Sequence, residues 1–134
     1  MFGHSFPFRE QFRLFSDGTN EEIPPQYRFL SLYKLIEMQF RRQGKWKNKE
    51  LTELLSHFAE DFRQIGLNRD PLKEIHFWRD KCVHVRTGKH REILGVSELN
   101  HKQFVSLTKI LPVVAKIGGK ILATLTNGNV LVAI

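Results

Sequence analysis

A lone cysteine, Cys82, in 134 residues excludes an intramolecular disulfide and any cysteine-based zinc site within one chain. It fits a reducing, cytoplasmic setting. Acidic residues are also scarce: 14 Asp and Glu face 21 Lys and Arg, a formal charge of +7. Such a surface attracts polyanions in a salt-dependent way. No apolar run is long enough to cross a bilayer. Residues 1–15 carry Arg9, Glu10 and Arg13 among their aromatics, unlike a secretory signal. Nucleic acid is therefore the expected polyanion, and no membrane partner is expected. The chain also lacks a GxGxxG or Walker-type phosphate loop and a Cys or Ser nucleophile in a recognisable setting. Nothing repeats at a fixed period, and no segment is of low complexity.

Core material is plentiful. Hydrophobic residues make up 41% of the chain, with 11 Phe among them, enough for one domain around a single core. Residues 1–26 read as an irregular N-terminal segment ending in the pair Pro24 and Pro25, which can open a helix after it. A first predicted helix covers residues 27–43, with Phe29, Leu32, Tyr33, Ile36 and Phe40 on one arc. A basic turn follows, GKWKNK. Asn48 is a candidate cap for a second helix running to residue 65, with its stripe of Leu51, Leu54, Leu55, Phe58, Phe62 and Ile65 and its stop at Gly66.

A third predicted helix spans residues 70–88, with Asp70 as N-cap and Pro71 in the first turn. After it, Asn100 can cap a fourth, built on Phe104, Leu107, Ile110, Leu111, Val114 and Ile117 and kinked at Pro112. The end of the chain, ILATLT, then Asn127-Gly128, then NVLVAI, predicts a short β-hairpin or an extended tail. The chain thus divides into an irregular segment (1–26), an all-α domain (27–120) and a C-terminal extension (121–134).

The third helix holds the chemistry. Helical spacing of about 100° per residue places Arg79 inside an apolar arc of Leu72, Ile75, Trp78, Cys82, Val83 and Val85. An unpaired guanidinium in a dry core costs several kcal/mol, roughly, so Arg79 should meet a carboxylate such as Glu37, a ligand phosphate or a subunit interface. Asp80 and His84, four apart, share a side, so the carboxylate can orient an imidazole able to move protons near neutral pH. His76, Asp80 and His84 also form a stripe with metal-ligand chemistry. His57, His90 and His101 are scattered and cannot complete a shell, so no metal is assigned.

Residues 79–84, RDKCVH, resemble the HEPN superfamily pattern of an arginine, four to six residues and a histidine, with a polar residue commonly after the arginine. The segment RFLSLYKLIE in the first predicted helix also resembles bacterial HEPN proteins of the Apea-like or MauJ-like kind. The resemblance spans roughly residues 27–120 and implies an all-α HEPN-like bundle of four or five helices. It implies a metal-independent endoribonuclease or an RNA-binding HEPN domain, without cofactor, with Arg79, Asp80 and His84 as the catalytic residues. The enzyme would work as a homodimer on RNA, with a cognate antitoxin or regulatory protein as a further partner in a toxin-antitoxin or defence system. Asp80 stands where the family often has asparagine.

Two basic clusters are candidate RNA contacts. Arg41, Arg42, Lys45, Lys47 and Lys49 flank Trp46 at a helix connection, a mix suited to single strands. Lys89, His90 and Arg91 follow the motif helix directly. The same residues are also compatible with a solvated loop whose tryptophan packs on the core. At the level of function the alternative is a non-catalytic dimeric helical interaction domain, with a small metal-binding protein third.

Overall fold

The computed structural model describes residues 7–67, 69–87 and 101–131, with side chains described to residue 83 in the fifth helix and to 127 in the last. Within these it has six helices and one short antiparallel ribbon: α1 (Arg9–Thr19), α2 (Pro25–Phe40), β1 (Arg41–Arg42), β2 (Lys45–Trp46), α3 (Asn48–Ser56), α4 (Ala59–Gln64), α5 (Pro71–Thr87) and α6 (His101–Leu131). The protein is an all-α bundle.

α2 is its axis. Phe29, Leu32, Tyr33, Leu35 and Ile36 are all buried, more than one face can supply, because α1, α5 and α6 pack around this helix. Pro25 opens it, as the proline pair predicts.

Several expectations are corrected. The helix predicted over residues 27–43 ends at Phe40, because Arg41 and Arg42 pair in β1 and Gln43 takes a left-handed turn conformation. Residues 1–26 are not all irregular, because α1 lies there and packs Leu14, Phe12 and Phe15 against the core. Gly18 is part of that packing: a Cβ built on it would sit 2.4 Å from Leu32 Cγ, so only glycine allows α1 to lie so close to α2. The predicted second helix divides into α3 and α4. His57 and Phe58 donate backbone N–H to Leu54 and Leu55, three residues back, and the Ser56 hydroxyl bonds the Glu53 carbonyl at 2.6 Å. Asn48 is the first residue of α3 and makes no side-chain cap.

The stop at Gly66 holds. Gly66 has φ +88°, its N–H donates to the Arg63 carbonyl, and Leu67 N–H donates to Phe62, the two bonds of a Schellman end.

The last correction concerns the C-terminal hairpin. α6 continues to Leu131, so Asn127 and Gly128 are helical and make no turn. The apolar spacing of Leu107, Ile110, Leu111, Val114 and Ile117 runs on through Ile121, Leu122 and Leu125. The polar residues of the expected strands also join the helix: Thr124 donates to the Lys120 carbonyl, Thr126 to Leu122 and Asn127 to Ala123. Pro112 stands on the exposed face, and the helix runs through it. Residues 132–134 lie outside the described set.

Gly18→Val should lower stability by about 1–3 kcal/mol through overpacking against Leu32. Gly119→Ala, whose Cβ would meet only Phe15 at 3.8 Å, should be neutral or gain up to about 1 kcal/mol of helix propensity. Urea unfolding checks both, and equal losses would refute the close-packing account.

Candidate functional site: an arginine, a histidine and a basic ribbon around Tyr33

The ribbon is built by its turn. Gln43 (φ +53°) and Gly44 (φ +78°) both take the left-handed conformation that a two-residue I′ hairpin requires. Arg41 then pairs with Trp46 and Arg42 with Lys45. Arg41, Arg42, Lys45 and Lys47 are exposed, whereas Trp46 is half-buried and packs against the core.

What Trp46 packs on decides the site. Its ring meets the His76 ring edge-on at 5.1 Å and the Tyr33 ring at 5.9 Å, and Tyr33 and His76 meet at 5.8 Å. The Tyr33 hydroxyl and His76 Nδ1 are 3.0 Å apart. Burial pushes the Tyr33 hydroxyl up to about 12, with Arg79 pulling the other way, so the phenol keeps its proton. The phenol donates to His76 Nδ1 when the ring proton is on Nε2 and accepts from it when the proton is on Nδ1. Burial lowers the His76 pKa from its ordinary value, Asp80 opposes this and Arg79 adds to it, so the imidazole is neutral at pH 7.

Arg79 and Asp80 come next along α5. The Arg79 side chain is 43% exposed, so it edges the apolar arc and is not enclosed by it. Its guanidinium bonds the Asp80 carboxylate at 3.1 Å and lies 5.9 Å from the Tyr33 ring centre. Glu37, the carboxylate expected to compensate it, instead binds Arg41 at 2.7 Å and lies 3.7 Å from Lys34. The charge that is buried in α5 is Glu74, 1% exposed. One of its oxygens accepts from Arg69 Nε at 3.0 Å, and the other has no partner. Helical arithmetic alone could not choose between Glu74 and Arg79 for the inner position, because both flank the buried positions Ile75 and Trp78.

His84 is carried by α5, but its side chain lies outside the described set, as do Lys89, His90 and Arg91 entirely. Asp80, expected to orient His84, is engaged with Arg79. Cys82 is buried, and its thiol is pushed up to about 12 by burial, which leaves it without nucleophilic character. Tyr33 and its bond to His76 are the part that sequence reading missed. A tyrosine on the core face of a helix needs a partner for its hydroxyl, and that was the available signal.

On the other side of Tyr33 an open groove of about 410 Å³ runs between α1, α2 and α5. Lys34, Glu37 and Arg79 line one part of it, and Tyr27, Leu30 and Ser31 another.

The model of the methylamine utilization protein MauJ family matches residues 11–119. The chain belongs to the MauJ family. No curated protein and no solved structure matches it. The MauJ match runs from the third residue of α1 through α5 and the first nineteen residues of α6, so ribbon, Tyr33, His76 and Arg79 all fall inside it. Among the described residues of this MauJ chain no helix is long and apolar enough to cross a membrane.

The Tyr33–His76 contact gives a pH prediction. The His76 pKa is lower folded than unfolded, so its contribution to stability is present above about pH 6.5 and is lost as pH falls from there toward the folded pKa. The melting temperature of the parent should therefore drop more between pH 7.5 and 5.5 than that of His76→Gln. Equal drops would show that His76 is not the titrating group.

Proposed function

We propose that this chain is an RNA-directed domain of the HEPN type, which cleaves RNA as a homodimer without a metal. One observation supports it above all: Trp46 seats the basic ribbon on His76, one turn of α5 before Asp80 and next to Arg79. Two cationic segments distant in sequence thereby share a neighbourhood, as a phosphodiester substrate requires.

In this reading Arg79 stabilises the charge that builds on the phosphoryl oxygens, held in place by Asp80 and by the face of Tyr33. His84 takes the proton from the 2′-hydroxyl or returns one to the leaving oxygen. Attack by the neighbouring 2′-hydroxyl restricts cleavage to RNA and leaves cyclic phosphate ends. A twofold axis beside α5 brings two copies of the motif together. Arg41, Arg42, Lys45 and Lys47 hold the backbone of the strand, and Trp46 serves as the anchor of the ribbon. A cognate antitoxin or regulatory protein would control the activity.

The family name links such proteins to methylamine utilization. The methylammonium ion itself is a poor ligand for this site. The aromatic faces that could hold a cation lie beside guanidinium groups, with Arg41 6.0 Å from the Trp46 ring and Arg79 5.9 Å from Tyr33.

Purified protein should cleave single-stranded RNA in the presence of chelator, and His84→Ala should lose on the order of 10²–10⁴-fold in rate. A dimer that leaves RNA intact, or a His84→Ala variant as fast as the parent, refutes the nuclease assignment and favours a non-catalytic interaction domain. Separately, Arg42→Gln with Lys45→Gln should reduce the salt dependence of RNA binding by about 1.4 in log–log slope, some 0.7 per lost phosphate contact. An unchanged slope would remove the ribbon from the interface.

A further inference from the structure

We infer that the cleft where the end of α2 meets α3 and α6 is a binding site for a small alkyl carboxylate. The chain of the ligand lies on Phe40, Leu54 and Ile121, and its carboxylate meets Lys120. This cleft shares no lining residue with the groove beside Arg79, and the inference stands apart from the RNA reading.

Three helices build the cleft. Gln39 and Phe40 come from the last turn of α2, Leu54 from α3, and Lys120, Ile121 and Thr124 from successive turns of α6. Lys120 and Thr124 are four residues apart and stand one above the other, while Ile121 is set about 100° further round, toward the core. Ile121 is buried, whereas Phe40 and Leu54 are only partly so. Apolar carbon from three helices therefore forms a concave floor that still gains by being covered.

The rim sets the charge of what covers it. One turn before Lys120, Lys116 is held by Asp61 at 2.9 Å. Lys120 has no such carboxylate: among the described residues it makes no ion pair, and the Gln39 side chain makes no hydrogen bond. The Thr124 hydroxyl donates to the Lys120 carbonyl at 2.9 Å, so its proton is already spent. The lining thus offers one unpaired ammonium, one free amide and no acid. A single negative charge on an apolar body matches that set, whereas an amine would be repelled and a neutral ligand would leave the ammonium unanswered. The volume of about 260 Å³ lies just under the usual range for small-molecule sites, which begins at about 300 Å³. It suits a short chain and not a long-chain lipid.

The test titrates octanoate, kept below its micelle-forming concentration, into the whole isotope-labelled chain and follows the amide resonances. Expected are saturable shifts gathered around the cleft, with hexanoate binding about tenfold more weakly because two fewer methylenes leave water. Octylamine should not compete. Lys120→Ala should weaken octanoate about fivefold or more, while Lys120→Arg should stay within about twofold of the parent. Lys116→Ala, one turn away on the same helix, should bind as the parent does. Both lysines are exposed, so the variants should fold, which melting curves verify. No saturable binding overturns the site, and so does octylamine binding as well as octanoate. Equal losses in Lys116→Ala and Lys120→Ala also overturn it, since they mark general attraction to a basic surface. None of these readouts depends on whether the protein binds or cleaves RNA.

Discussion

The hydroxyl of Tyr33 and Nδ1 of His76 are 43 residues apart in the chain and 3.0 Å apart in space. Their bond ties the central helix to the helix that carries the arginine, and Trp46 closes over both rings to add the ribbon as a third component. A neutral hydrogen bond is worth only about 1 kcal/mol net, but its loss would leave a polar atom stranded under an indole. The aromatic packing around it makes the arrangement stiffer than any one contact would. Arg79 inherits its position from this assembly, since the Tyr33 ring is one of the two groups against which its guanidinium rests.

That dependence explains why the site was only half legible in the sequence. Periodicity is a property of one helix at a time. It located α2, α3, α5 and most of α6, and proline and glycine marked the start of α5 and the end of α4. It also singled out Arg79 and the basic residues around Trp46. What it could not show was that these two features meet, because the meeting runs through His76 and Tyr33, which look like ordinary positions on two separate amphipathic faces.

The failures have local causes. α1 was overlooked because its phenylalanines and Gly18 resemble loop composition, and only the approach to Leu32 reveals the glycine as a packing residue. The end of α6 was read as strand because threonine, isoleucine and an Asn-Gly pair favour extended structure and turns in isolation. In the folded chain the hydroxyls of Thr124 and Thr126 bond carbonyls of the preceding turn, while Ile121 and Leu122 enter the core. Tertiary burial outweighed propensity there, as it did for Glu74, the charged residue that lies deep in α5.

The two-residue turn at Gln43 and Gly44 sets a rule for how this protein can vary. Side chains alternate along a strand with a period of two, so a one-residue slip of β2 against β1 would exchange the faces on which Lys45 and Trp46 stand. The indole would swing out to solvent and an ammonium group would be pressed toward the imidazole. The left-handed pair at Gln43 and Gly44 thus fixes which of the two faces the whole basic surface presents.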